Sequence, residues 1–407
     1  MFRTVWPRSA RLLLGGVILF AALASPALAV TPLRGGRGDV DPIPSFWRIP
    51  NRVAKHFLAA PHAPARTEQS ALQAALDHAH DVADAYGLTF AVVRGDGVAW
   101  AGASGVRDDG ATPLQADAPF VIGSITKTFV SVALLHQVER GRLSLDDQVT
   151  DHLPDLAVAR GATVRDLLAH TSGIADLWIP LQETLVSDPG HVFSHAEVLG
   201  KLGAPWFAPG TGWGYSNTNY VIAGMLLEKV AGRPAEDVIA RDVTGPLHLR
   251  ETWLLAGSRA DARLLEPSWA TSFWTSGAMR STAADLARWG AALYGGRSVV
   301  RASTLSAMTA FNEDDYGLGT RRFEFGEEVG IGHSGLLKRT TSLLLYFPEQ
   351  RVSLAILANR SEVDLPAALV AEQDGKPSLL ELILGPDAVL TAPSPSPAPS
   401  AVAAARN

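Results

Sequence analysis

Apolar positions Phe129, Val130, Ala133, Leu134 and Val138 recur at helical spacing, and Gly141 follows as a stop, so IGSITKTFVSVALLHQVERG (residues 122–141) predicts a helix. The same period runs through EQSALQAALDHAHDVADAY from Glu68. A third helix is expected to begin near Asn219 and stop at Gly232, and a fourth to span 379–384. Two segments read instead as paired β-rich runs. LTFAVVRGDGVAWAGASG breaks at Gly95, Asp96 and Gly97, and TTSLLLYFPEQRVSLAILANR breaks at Pro348, Glu349 and Gln350, so each predicts a hairpin. The hairpins lie at opposite ends of the body, with mostly helical and loop sequence between them. The simplest assembly is an α+β fold: a sheet made from N- and C-terminal segments, flanked by helices, with a mostly helical subdomain inserted through the middle.

The ends of the chain break these patterns. Arg3, Arg8 and Arg11 precede an apolar run over 12–24, and SPALA closes on the small-x-small triplet Ala27, Leu28, Ala29. Residues 1–29 therefore read as a signal peptide cleaved near Ala29, which implies a secreted or periplasmic protein. Nothing else is long and apolar enough to span a bilayer, so no transmembrane helix is expected in the mature chain. Residues 30–66 form an irregular arm rich in Pro, Gly and Arg, 67–385 the folded domain, and 386–407 a disordered Pro/Ser/Ala tail.

Composition narrows the function. A chain of 407 residues buries a full core, and its net charge of −6 becomes −9 without the leader, which carries three arginines and no acid. A negative chain with no extended basic run is not a general nucleic-acid binder. With no cysteine, disulfides, thiol nucleophiles and cysteine metal sites are excluded. The histidines show no metal-ligand spacing, and no G-x-S-x-G elbow, H-E-x-x-H or P-loop is present, so no cofactor is expected.

One local rule is broken. Ser124 stands where the first helix needs an N-cap, but Lys127 occupies the position three residues on where a capping box places Glu or Gln. A cation there opposes the helix dipole. A serine nucleophile, however, needs a base one turn away, and an amine serves if burial and positive potential lower its pKa. Two further stretches carry polar residues in Gly-rich settings. Tyr215, Ser216 and Asn217 precede the third helix, and His333, Ser334 and Gly335 open a strand whose glycines allow close backbone approach.

In that order, Ser124-x-x-Lys127, Tyr215-x-Asn217 and His333-Ser334-Gly335 resemble the three motifs of serine β-lactamases and penicillin-binding proteins. The tyrosine form is similar to the class C β-lactamase branch, and YSNTNYVIAGMLLEK to its secreted D-alanyl-D-alanine carboxypeptidases. VRDLLAHTSGI, SGAMRSTAADLARW and YGLG read like that family's connecting segments.

The resemblance implies a β-lactamase/DD-peptidase-like fold and a Ser124 acyl-enzyme, with Lys127 and Tyr215 managing the proton and either one as the base. It implies that Asn217, His333 and Ser334 contact the substrate, and that the backbone N–H groups of Ser124 and Leu336 form the oxyanion hole. Arg321, with Arg322 as fallback, would hold a terminal carboxylate. Leu336 departs from the hydroxyl residue frequent in carboxypeptidases, which keeps an esterase or a D-amino-acid amidase or peptidase open beside D-Ala-D-Ala carboxypeptidase activity. A non-turnover β-lactam sensor or cell-wall-binding module is the reading from another class. Trp213 and Trp274 are expected near the pocket. The expected partner is a small-molecule or peptide substrate (a peptidoglycan stem peptide, β-lactam or ester) bound by a monomer.

Overall fold

The computed structural model describes residues 66–385 apart from 96, 297 and 298. The segments read from the sequence as a signal peptide, an arm and a C-terminal tail lie outside the described residues, save residue 66. Five helices of eleven or more residues are described: α1 (Arg66–Ala83), α2 (Thr126–Glu139), α3 (Asn217–Ala231), α4 (Pro267–Gly277) and α5 (Ala283–Tyr294). Among the described residues, nine strands form two sheets. β1 (Gly87–Arg94) and β2 (Gly97–Gly105) come from one end of the chain. β6 (Arg321–Phe325), β7 (Glu328–Leu337), β8 (Thr340–Phe347) and β9 (Val352–Ala358) come from the other.

These six join in the order β2-β1-β9-β8-β7-β6, antiparallel throughout. β3 (Phe120–Val121), β4 (Trp253–Leu254) and β5 (Met279–Ser281) make a small second sheet, ordered β3-β5-β4.

β9 is buried at every position because both faces of the large sheet are covered. On one face Leu88, Phe90, Val92, Leu354 and Ile356 pack against Leu72 and Leu76 of α1 and against Leu369 and Leu379 near the C-terminus. On the other lies α5, where Gly290 lets the helix backbone approach Ser353. The apolar residues of β1 and β9 therefore run nearly continuously instead of alternating.

α2 is also buried nearly all round, from Thr126 to Leu135, so its apolar residues do not form a single stripe. It packs against α3 and α4. A smaller core, Val149, Leu167, Ile174 and Ile222, organises the inserted helical region. Among the described residues, no helix is long and apolar enough to cross a membrane.

Three local expectations change. Ser124 is not an N-cap: it lies in a 3₁₀ turn (Gly123–Ile125), and α2 starts at Thr126 without a side-chain cap. His333, Ser334 and Gly335 lie in the second half of β7, because that strand already begins at Glu328 and runs through Gly330 and Gly332. α3 starts at Asn217, two residues earlier than expected, so Asn217 is the helix's first residue.

Candidate active site

β7 extends beyond the end of its neighbour β6, whose pairing stops at Arg321 with Gly332. Against this free stretch packs the turn that carries Ser124. Gly123 has φ +50, and a Cβ on it would lie 2.6 Å from the backbone nitrogen of Leu336. A Cβ on Gly335 would collide with the Ile122 carbonyl. Glycines at these two positions thus let a strand and a turn meet backbone to backbone, which sets the Leu336 amide beside Ser124.

Lys127, one turn into the same segment, is fully buried. Its Nζ stands 3.0 Å from Ser124 Oγ, 2.8 Å from Asn217 Oδ1 and 2.7 Å from the Ser276 carbonyl oxygen. The last is one of the carbonyls left unpaired at the end of α4. That helix is interrupted at Trp274, whose φ of +31° and ψ of −116° are outlying for a bulky side chain. Burial lowers the pKa of Lys127 from 10.5 to about 7, against an opposing pull from Asp176. Tyr215 is partly buried, hydrogen-bonds Ser124 and lies under the lysine, its ring centroid 4.9 Å from Nζ. Burial pushes the Tyr215 phenol well above its ordinary value, so it holds its proton.

Asp176 was not singled out in the sequence. It lies next to the HTSGI stretch and accepts hydrogen bonds from the backbone N–H groups of Asn217 and Trp178. It thereby caps the first turn of α3 from 41 positions away. Its carboxylate also bonds the Asn217 side chain. That contact engages the amide nitrogen, since a carboxylate only accepts, and leaves Oδ1 for Lys127. Both ends of the Asn217 amide are therefore engaged within the protein.

Asp176→Asn keeps the shape and removes a negative charge that raises the Lys127 pKa. The acid limb of kcat/KM should move below its wild-type position near pH 7, and an unmoved limb would show that Asp176 is electrostatically silent.

A second buried array stands beside the first, also unforeseen. His170 Nδ1 accepts the Ser216 backbone N–H, so its proton resides on Nε2, which donates to the Tyr316 hydroxyl at 3.2 Å. That leaves the Tyr316 proton for His333 Nε2 at 3.1 Å, while His333 Nδ1–H donates to the Ser334 carbonyl. Burial and nearby cations hold both histidines far below their ordinary pKa, so the array is neutral. Tyr316→Phe strands both Nε2 atoms and should cost about 1–3 kcal/mol. Urea unfolding measures this, and an unchanged midpoint would show the bonds to be idle.

The remaining expected residues divide. Arg321 reaches the site: its charge bears on Tyr215, His170 and His333, and its guanidinium carbon is 6.0 Å from the Tyr316 ring centroid. Arg322 is engaged elsewhere, by Asp315 and Glu324. Ser334 and Leu336 are both partly exposed, two apart on β7 and so on one face. Trp213 packs against His170 and Tyr316 beside the site. Trp274 is buried and lines a different cavity. No group of three or more potential metal ligands occurs among the described residues.

A family model described as Beta-lactamase matches residues 72–374. A penicillin-binding protein of Bacillus subtilis (strain 168) is 26% identical over 289 residues, which cover 61% of this chain and 62% of that protein. An esterase, EstB, of Burkholderia gladioli is 32% identical over 197 residues, covering 44% and 50%. The chain thus spans about half to three-fifths of the length of these relatives. Among solved structures, a D-stereospecific amidohydrolase from Streptomyces sp. superposes with a TM-score of 0.65 at 29% identity, covering 75% of this chain and 99% of that one. A D-amino acid amidase from Ochrobactrum anthropi SV3 gives 0.64 at 26% identity, covering 74% and 93%.

Proposed function

The chain belongs to the Beta-lactamase family of serine hydrolases, and on that premise we propose that it cleaves peptides ending in D-alanyl-D-alanine through an acyl-enzyme on Ser124. The observation that carries the reading is the buried Lys127. A neutral amine has two protons and one lone pair. The two carbonyl oxygens at 2.7 and 2.8 Å accept the protons, and the lone pair is left for the Ser124 hydroxyl at 3.0 Å. Lys127 is the base and Tyr215, kept protonated by burial, the proton donor.

In acylation Ser124 Oγ bonds to the substrate carbonyl carbon as its proton passes to Lys127. The oxyanion is held by the N–H groups of Ser124 and Leu336. The C–N bond breaks as the leaving nitrogen takes a proton from Tyr215, which Lys127 replenishes. Water then attacks the ester by the same route and restores Ser124. Arg321 supplies the cation for a terminal carboxylate, a role the neutral His333 does not fill. An exported mature chain, as residues 1–29 imply, would meet such peptides in the cell wall.

A second reading, a D-amino-acid amidase or esterase, is favoured by Leu336, which offers a carboxylate no hydroxyl. Incubation with a fluorescent penicillin followed by peptide mapping should place the label on Ser124, with Ser124→Ala unlabelled. Comparing kcat/KM for a peptide ending in free D-Ala-D-Ala, its terminal amide and a p-nitrophenyl ester separates the two readings. Absence of both label and hydrolysis would overturn the acyl-enzyme, and a preference for the amide would transfer the assignment to the second reading.

A further inference from the structure

Away from Ser124, a cavity of about 470 Å³ opens beside α4, walled by Phe193, Leu255, Leu265, Pro267, Ala270 and Trp274. Neither Ser124, Lys127, Tyr215 nor His333 lines it. Its size is that of a small-molecule site. The polar groups on its walls are few, and most of their hydrogen-bonding capacity is accounted for. Thr271 accepts the Phe193 N–H and donates to the Pro267 carbonyl. The His195 ring stacks on Trp274 at 4.2 Å between centroids, and burial favours its neutral form.

Two carboxylates remain. Glu228, on α3, spends one oxygen on the Ala235 N–H. Glu236 lies on the short helix Ala235–Ile239, and among the described residues its carboxylate has no hydrogen-bond or ion-pair partner. Among the described residues, no lysine, arginine or histidine pairs with either. The two repel each other across the cavity wall, and burial adds to the cost of the Glu228 charge. Gly257, at φ +53, leaves Glu236 its room, since a Cβ there would lie 2.5 Å from Oε1. An apolar chamber with two uncompensated acids is complementary to a ligand that brings one cation and an oily body.

We propose that this cavity binds a small organic ammonium with an apolar, aromatic body, its charge held by Glu228 and Glu236 and its body packed on Phe193, Leu255, Leu265 and Trp274. The ammonium completes the two carboxylates, and the aryl group replaces water against the apolar walls.

Calorimetric titration of the full chain with phenethylammonium chloride tests this, with 2-phenylethanol as the uncharged counterpart. Saturable one-site binding is expected, at least tenfold weaker for the alcohol. The Glu228→Gln/Glu236→Gln double variant should lose at least tenfold in affinity while its thermal midpoint stays at the wild-type value or above, since the repulsion is gone. Ser124→Ala should bind as the wild type does, which separates this cavity from the catalytic site. No saturable binding, equal affinity for the alcohol, or affinity unchanged in the double variant would each overturn the proposal.

Discussion

Replacing Lys127 with methionine is expected to lower kcat/KM by about 10³-fold, the middle of the range for loss of a positioned general base. The length of the side chain survives; the lone pair facing Ser124 does not. In the wild type the amine accepts a proton only when unprotonated, so kcat/KM should rise tenfold per pH unit below the Lys127 pKa of about 7 and level off above it. That limb should vanish from the residual activity of the variant.

The same shift appears in stability. Between about pH 7 and the ordinary lysine value of 10.5, the unfolded chain holds a proton that the folded chain has released. Unfolding free energy must therefore rise with pH through that window. Below it both states are protonated, and the buried charge costs its full amount, of the order of 5 kcal/mol. Urea titrations at pH 7 and 9.5 should show the rise in the wild type and not in Lys127→Met. Equal slopes would mean that the lysine titrates normally.

Gly335→Ala is expected to lower kcat/KM by about 10²–10³-fold, the cost of losing one oxyanion donor. The new methyl group would meet the Ile122 carbonyl and the Ser342 hydroxyl, so β7 has to retreat from the Ser124 turn. The Leu336 amide follows it. Because none of the atoms nearest the new methyl group belongs to Lys127, the acid limb near pH 7 should survive in the slowed enzyme. A pH–rate profile alongside a thermal melt checks both parts, and wild-type kinetics would show that the strand is free to give way.

The fold was legible where burial enforces a pattern. Both hairpins, α1 and the closing helix Leu379–Leu384 follow from periodicity and breakers, since each must keep its apolar side inward. β6 and the first half of β7 were not anticipated. Arg321, Arg322 and Glu324 in the one, and Gly330 and Gly332 in the other, dilute the apolar signal. The three motifs identified Ser124, Lys127, Tyr215 and His333, and the structure brings all four together.

Asp176, His170 and Tyr316 escaped for a different reason. They stand in segments that looked like connectors, and their importance lies in partners 41, 46 and 17 positions away. No local rule reaches so far. The capping analogy failed at Ser124 because a tight turn ahead of α2, not the helix itself, presents the hydroxyl.

A sheet stitched from both ends of the chain also sets an order of events. Ser342 donates to the Ile122 carbonyl across 220 positions, and the Gly87 amide to the Asn359 side chain across 272. β1 finds its central neighbour only when β9 has emerged from the ribosome. Such distant pairings slow folding, because loop closure must precede the contacts that reward it. Until then the β1–β2 hairpin waits with an open edge. Ser124 is translated well ahead of β7, the strand its turn packs on, so the nascent protein carries that serine without its surroundings until β7 has been made.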